Sequence, residues 1–281
     1  KFEGYPAMQL GGTPPQLYDQ ARDGVVDITW TVLGYTPGRF PKTEVFELPF
    51  MSGNAEASSR AIQEYVEKFA ADEFKDVKLI AVHTHGPGLF HTKTPVTGLE
   101  SLRGMKVRGG SRIISNMLTK LGATPVGMPV PAVTEALSKG VIDGTTIPWE
   151  VTPALKVSEL VKNHTTFAGD KALYVTTFVV AMNKGAYNKL PADLKKIIDD
   201  NSGLEFSAMI ARTQDVGDNV GRDLAVKAGN KITELDVAEV QRWKRTAGVV
   251  ESDWINDMKA KNIDGAKLVS DARAMIAKHA K

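Results

Sequence analysis

A chain of 281 residues exceeds the usual span of one compact domain and suits two lobes. Lys+Arg 35 against Asp+Glu 33 leaves a net charge of +2 with the signs interleaved, which argues against nucleic acid, a partner that demands a basic face. Zero cysteines excludes a disulfide, a thiol nucleophile and a thiolate metal site, and no apolar run is long enough to cross a bilayer.

Taken in order, Lys1–Pro6 reads as an extended start with no signal peptide before it. Thr13 is a candidate N-cap with Pro14 at the first helical position, and that helix should stop at Gly24. Val25–Trp30 reads as a strand, Leu33–Pro41 as a Gly/Pro-rich loop, and Ala55–Phe74 as an amphipathic helix with Ile62, Tyr65, Val66 and Phe69 on one face. Lys78–Val82 is a buried-type strand, after which His83–Pro95 crosses out of the first lobe. Gly98–Glu150 reads as strand, helix, strand, helix, strand. Ile114, Met117, Leu118 and Leu121 mark the first helix and Gly122 stops it, whereas Val133, Ala136 and Leu137 mark the second and Gly140 stops that one. Leu155–Val161 is a short helix, Ala172–Asn183 the strongest strand, and Leu190 to about Lys227 one long helical stretch. Gln241–Met258 and Lys267–Lys278 close the chain as amphipathic helices.

Arg108 ends the first strand of the central unit, beside a helix N-terminus. Ligands gather at the carboxyl ends of such strands, and free N–H groups there favour an anion. The neighbouring Gly109–Gly110–Ser111 lacks the G-x-x-x-x-G-K-[ST] pattern of a nucleotide cradle, so a tight turn explains those glycines better. Of the five histidines, His83 and His85 alternate along an extended segment, but no HExxH is present and no metal site is expected.

Ser101–Leu102–Arg103–Gly104–Met105–Lys106–Val107–Arg108 resembles the "DLKGLKIR" segment of the solute-binding proteins of TRAP transporters (tripartite ATP-independent periplasmic transporters). Gly122–Ala123–Thr124–Pro125, Glu135–Ala136–Leu137 and Gly140–Val141–Ile142–Asp143–Gly144 continue the likeness over nearly the whole chain. The resemblance implies an α/β, two-lobe periplasmic-binding-protein-like fold, with a central cleft and a long helix spanning both lobes. It also implies a strand and helix ahead of Lys1, so the N-terminal unit is expected to be missing and one side of the cleft open. Lobe I is expected over 1–85 and 173–215, lobe II over 86–172 and 216–281. Arg108 inherits the salt bridge to a substrate carboxylate, a role that its planar fork suits.

Trp30, Tyr35, Phe90, Trp149 and Phe178 recur at strand ends; each alone is more often core, but together they fall where the family's cleft lies. Trp149 and Phe90 are the favoured ligand walls. Thr146 and Ile147 border the cleft, and His91 could donate one hydrogen bond to a ligand. Gly86–Pro87–Gly88 stands where some members with sugar acids carry a second arginine, and Ile147 replaces the asparagine often found before the proline of the third strand. One anchor in apolar surroundings suggests an aromatic monocarboxylate such as benzoate, a hydroxybenzoate or mandelate, with a short or branched 2-oxo or hydroxy acid, or a dicarboxylate, as runner-up. The expected role is capture in the periplasm and delivery to the TRAP permease subunits by a monomer, with no cofactor and no bond made or broken. A two-lobe hydrolase or lyase would need a G-x-S-x-G elbow or a clustered carboxylate–histidine set, neither of which is evident. A ligand-sensing domain would need an attached membrane or effector segment.

Overall fold

The computed structural model describes residues 3–280, so Lys1 and Phe2 of the expected extended start lie outside the described residues. Thr13 bonds the Gln16 side chain through its N–H and its hydroxyl, and Pro14 opens a 3-10 turn that runs into α1 (Leu17–Asp23). Gly24 ends α1 with φ 79°, a left-handed conformation that glycine adopts freely. β1 (Ile28–Val32) follows, then α2 (Ala55–Tyr65), whose Asn54 cap accepts from Ala57 N–H. The predicted helix over 55–74 thus changes character at Val66, continuing as a π turn to Ala70 and a 3-10 turn to Phe74. Next come β2 (Lys78–Thr84) and β3 (Leu89–Thr92). The central unit is β4 (Lys106–Gly109), α3 (Arg112–Lys120), β5 (Thr124–Gly127), α4 (Val133–Ser138) and β6 (Gly144–Ile147). The chain finishes with α5 (Val157–Leu160), β7 (Asn163–Phe167), β8 (Thr177–Met182), α6 (Lys184–Lys189), α7 (Ala192–Asp200), α8 (Leu204–Lys227), β9 (Lys231–Leu235), α9 (Val237–Ala247), α10 (Val249–Ala260) and α11 (Gly265–His279).

Two sheets result. One has three antiparallel strands in the order β1-β8-β2; the other has six in the order β5-β4-β6-β3-β7-β9, with β4, β5 and β6 parallel and β3 antiparallel to both neighbours. β3 was expected only as a crossing segment, yet it lies inside the larger sheet with all four residues buried. The strand expected over Ala172–Asn183 is shorter, because Leu173 O and Tyr174 O accept from Phe50 N–H and Gly88 N–H of loops instead of a neighbouring strand. The single long helix is two: Gly203, at φ 80°, breaks it and donates its N–H to Ile80 O at 2.7 Å. The predicted helix over 241–258 likewise divides at Gly248.

α8 still runs 24 residues, about 36 Å, along both sheets. Near its start Ser207 Oγ donates to Val82 O at 2.7 Å and Ser59 O at 3.0 Å, fixing it to β2 and α2. Farther along, a Cβ at Gly221 would lie 2.1 Å from Trp149 O, so the turn Trp149–Val151 rests on bare backbone. α11 packs on α2, with Leu268, Val269, Ala272 and Ile276 buried, so the last helix joins the layer of the smaller sheet although residues 216–281 were expected in the other lobe. Among the described residues no helix is long and apolar enough to cross a membrane.

Candidate ligand-binding site

β4 holds Arg108 between β5 and β6, opposite Val126 and Thr145. The side chain is 4 % exposed. Its Nε donates to Met128 O at 2.9 Å and its Nη1 to Thr146 O at 3.2 Å, while Thr146 Oγ1 donates to Arg108 O at 3.1 Å. Those carbonyls orient the guanidinium without neutralising it, and among the described residues no carboxylate pairs with it. Burial pulls its pKa below the ordinary arginine value, but a guanidinium stays charged. A buried, uncompensated cation costs stability unless a counter-ion arrives. Tyr35 stands beside it: the hydroxyl accepts from Val130 N–H at 3.0 Å, which leaves its own proton to donate. Tyr174 is the second phenol nearby, its pKa pushed up to about 12, chiefly by burial. Gly110 is explained by this group: a Cβ there would lie 3.1 Å from both Nη atoms. Neither Gly109 nor Gly110 has a positive φ, so close approach, not a turn, requires them.

A cavity of about 250 Å³ opens in front of Arg108. Val130, Ile147, Pro148 and Val151 bound it on the side of the larger sheet. Trp30 and Phe178 form the wall of the smaller sheet, stacked at 5.5 Å between centroids and 16° between planes. His83 continues the stack at 4.9 Å from Phe178, and Trp30 Nε1 donates to His83 Nε2 at 2.8 Å, which pins the indole. Trp30 is nonetheless 56 % exposed, a large aromatic surface at the rim.

The structure therefore gathers Arg108, Trp30, Tyr35, Ile147 and Phe178 around one cavity. Thr146 acts on Arg108 through its carbonyl. The other three residues are placed elsewhere. Phe90 is 0 % exposed, with its ring 5.6 Å from Trp243 and 6.4 Å from Phe167. His91 has no free donor: Asn230 Nδ2 donates to His164 Nε2, the two histidine Nδ1 atoms meet at 2.7 Å, and His91 Nε2 bonds Ile147 O at 3.2 Å. Trp149 packs on His91 and His164. The physical reason is the position of β3: strand alternation sends Phe90 and His91 to opposite faces of an interior strand, and protein covers both. His85, Glu150, Tyr174 and Thr176 line the cavity and were not expected there. The absence of a second arginine at Gly88 has a steric cause, since a Cβ there would lie 2.3 Å from the Tyr174 ring. Among the described residues no group of His, Cys, Asp or Glu is arranged to hold a metal.

Beside the site, Glu47 is fully buried and accepts from Thr177 N–H at 3.0 Å and Thr177 Oγ1 at 2.8 Å. Burial pushes its pKa up to about 7. A carboxyl raised above its unfolded value takes up a proton on folding between about pH 4.5 and 7, so it costs stability as pH rises through that window. Glu47→Gln keeps the acceptor oxygen and removes the charge. Urea unfolding should find the variant about 3 kcal/mol more stable than the parent at pH 8, with the difference gone by pH 4. A constant difference across pH would refute the assignment.

A family model described as bacterial extracellular solute-binding protein, family 7, matches residues 1–256. The chain is 55 % identical to a TRAP solute-binding protein from Rhodoferax ferrireducens T118, crystallised with copurified benzoate; the match covers 100 % of this chain and 88 % of that one, with a TM-score of 0.98. A marine-metagenome TRAP solute-binding protein from an unidentified microbe, specific for aromatic acid ligands and complexed with 3-hydroxybenzoate, is 51 % identical over 99 % of this chain and 87 % of that one, TM-score 0.97. A Bordetella bronchiseptica homologue with bound (R)- and (S)-mandelate is 30 % identical over 95 % and 85 % of the two chains, TM-score 0.87.

Proposed function

This chain belongs to family 7 of the bacterial extracellular solute-binding proteins, and from that membership we propose that it captures an aromatic monocarboxylate in the periplasm and delivers it to the permease subunits of a TRAP transporter. The observation that carries the proposal is Arg108, a buried cation that faces a cavity walled by Trp30 and Phe178 and pairs with no protein carboxylate among the described residues. A ligand carboxylate would accept from the free edge of the guanidinium and from Tyr35, in a charge-assisted contact. The ring would lie between the aromatic wall and Ile147, where each Å² of buried apolar surface is worth about 25 cal/mol. The benzoate, 3-hydroxybenzoate and mandelate recorded with the related proteins support this ligand class. A dicarboxylate fits less well, because Arg108 is the one Lys or Arg among the cavity's described lining residues and Glu150 would repel a second anion. The two sheets are proposed to belong to lobes that close on the acid, with residues 1–85 and 173–215 carrying the wall and 86–172 carrying the anchor. Delivery then requires no chemical step.

Thermal-shift titration with benzoate, mandelate, succinate and glucuronate tests this. Benzoate or mandelate at a hundred times its dissociation constant should stabilise the fold by about 2.7 kcal/mol. Stabilisation by succinate or glucuronate alone would reject the aromatic reading.

A further inference from the structure

His83, within β2, and His85, one residue beyond it, both set Nδ1 against a main-chain carbonyl: His83 at 3.4 Å from Thr84 O, His85 at 2.5 Å from Gly86 O. A carbonyl only accepts, so Nδ1 carries the ring proton and Nε2 is left as an acceptor. In His83 that acceptor is filled by the Trp30 indole N–H. In His85 it bonds no protein group among the described residues, and the side chain borders the cavity, its ring edge-on to Tyr174 at 5.7 Å and to Phe178 at 6.0 Å. Burial lowers the His85 pKa to about 4, which keeps the ring neutral and this tautomer in place near neutral pH.

We infer that His85 Nε2 receives a hydrogen bond from a hydroxyl on the ligand, so that the site prefers hydroxylated aromatic acids over unsubstituted ones. This rests on the aromatic-acid reading and adds the substituent. An unsubstituted ring would cover Nε2 and cut it off from water without offering a donor, and a stranded buried acceptor carries a penalty. A methoxy group has the oxygen but no proton to give. The other uncharged polar side chains on the cavity discriminate less: Thr31, Thr176, Tyr35 and Tyr174 each carry a hydroxyl that can donate or accept, whereas His85 Nε2 in this tautomer only accepts. Glu150 is the competing acceptor. Burial and the neighbouring Asp218 push its pKa up to about 7, so it accepts fully only above that pH.

The test is calorimetry with benzoate, the three hydroxybenzoates and their methoxy counterparts at pH 5.5 and 8.5. At least one hydroxybenzoate should bind about tenfold more tightly than benzoate and than its own methoxy partner, equally at both pH values. His85→Phe should bring those affinities together, and His85→Gln, whose amide oxygen accepts, should restore part of the difference. Should His85→Phe fail to fold, the methoxy series on the parent protein and the glutamine variant still decide. Equal affinities for benzoate and every hydroxybenzoate, or a preference that survives in His85→Phe, would overturn the inference and leave the aromatic-acid reading standing. A preference seen only at pH 8.5 would assign the role to Glu150 and overturn it as well. Failure of every one of these acids to bind would overturn the inference, and failure of mandelate as well would remove the aromatic-acid reading with it.

Discussion

Arg108→Ala will lose at least a hundredfold in affinity for the aromatic acid while remaining folded. The side chain is buried against Met128 O and Thr146 O, and the cavity in front of it offers an incoming carboxylate no other Lys or Arg among its described lining residues. Removing one partner of a buried ion pair costs about 3–5 kcal/mol, because the other charge is then stranded in a low-dielectric site. The same burial means that the ligand-free protein gains nothing from the charge. The alanine variant should therefore melt within a few degrees of the parent when no acid is present, and the two should separate only when acid is added. Arg108→Lys keeps a positive charge but loses the planar fork that bonds Met128 O and Thr146 O together, so its affinity should fall between the two. Calorimetry on the folded variants checks this; an alanine variant that binds as tightly as the parent would sink the anchor assignment.

Phe90→Ala will behave in the opposite way. Phe90 sits in an aromatic cluster with Trp243 and Phe167, whose own rings are 5.2 Å apart, and it is fully buried. Truncating such a residue removes its transfer free energy and leaves a cavity, at about 3–5 kcal/mol. Chemical unfolding should record that loss, whereas the dissociation constant of the folded variant should stay within about threefold of the parent. A variant of normal stability and weakened affinity would return Phe90 to the ligand wall, where sequence reasoning had put it.

That contrast shows what the residues reveal by themselves. The unit from β4 to β6 was legible because Ile114, Met117 and Leu118 keep helical spacing and because Gly122 and Gly140, at φ 98° and 70°, end the helical turns. Arg108 followed from its place at a strand end together with the resemblance of Ser101–Arg108 to the family's segment. The segments β7 and β9, NHTTF and KITEL, were not legible: their threonines, lysine and histidine look like loop residues, and their pairing is with partners distant in the chain. β3 failed for a related reason. This strand is buried on both of its faces, so the alternation that separates core from solvent gives no sign of which face meets a cleft. Trp30 and Phe178 were named because aromatic residues recur at the expected strand ends and fall where the resembled family has its cleft; in the structure they lie on neighbouring strands, Trp30 opposite Val180 and Phe178 opposite Val32. His85 and Glu150 were missed because nothing near them in sequence marks them as neighbours of Arg108.

The anchor sits on the six-stranded sheet and the aromatic wall on the three-stranded one. On the proposed reading, recognition is divided between two bodies, and occupancy and commitment become separate quantities. A small acid without a ring would neutralise Arg108 yet give the opposite sheet nothing to grip, so it would act as a competitor for the anchor and not as cargo. An apolar ring without a carboxylate would meet the wall and leave the cation unanswered. Only a molecule with both ends joins the two sheets, so selection is applied a second time after the first contact is made. In a mixture of carboxylates, abundance alone would then not decide what is carried.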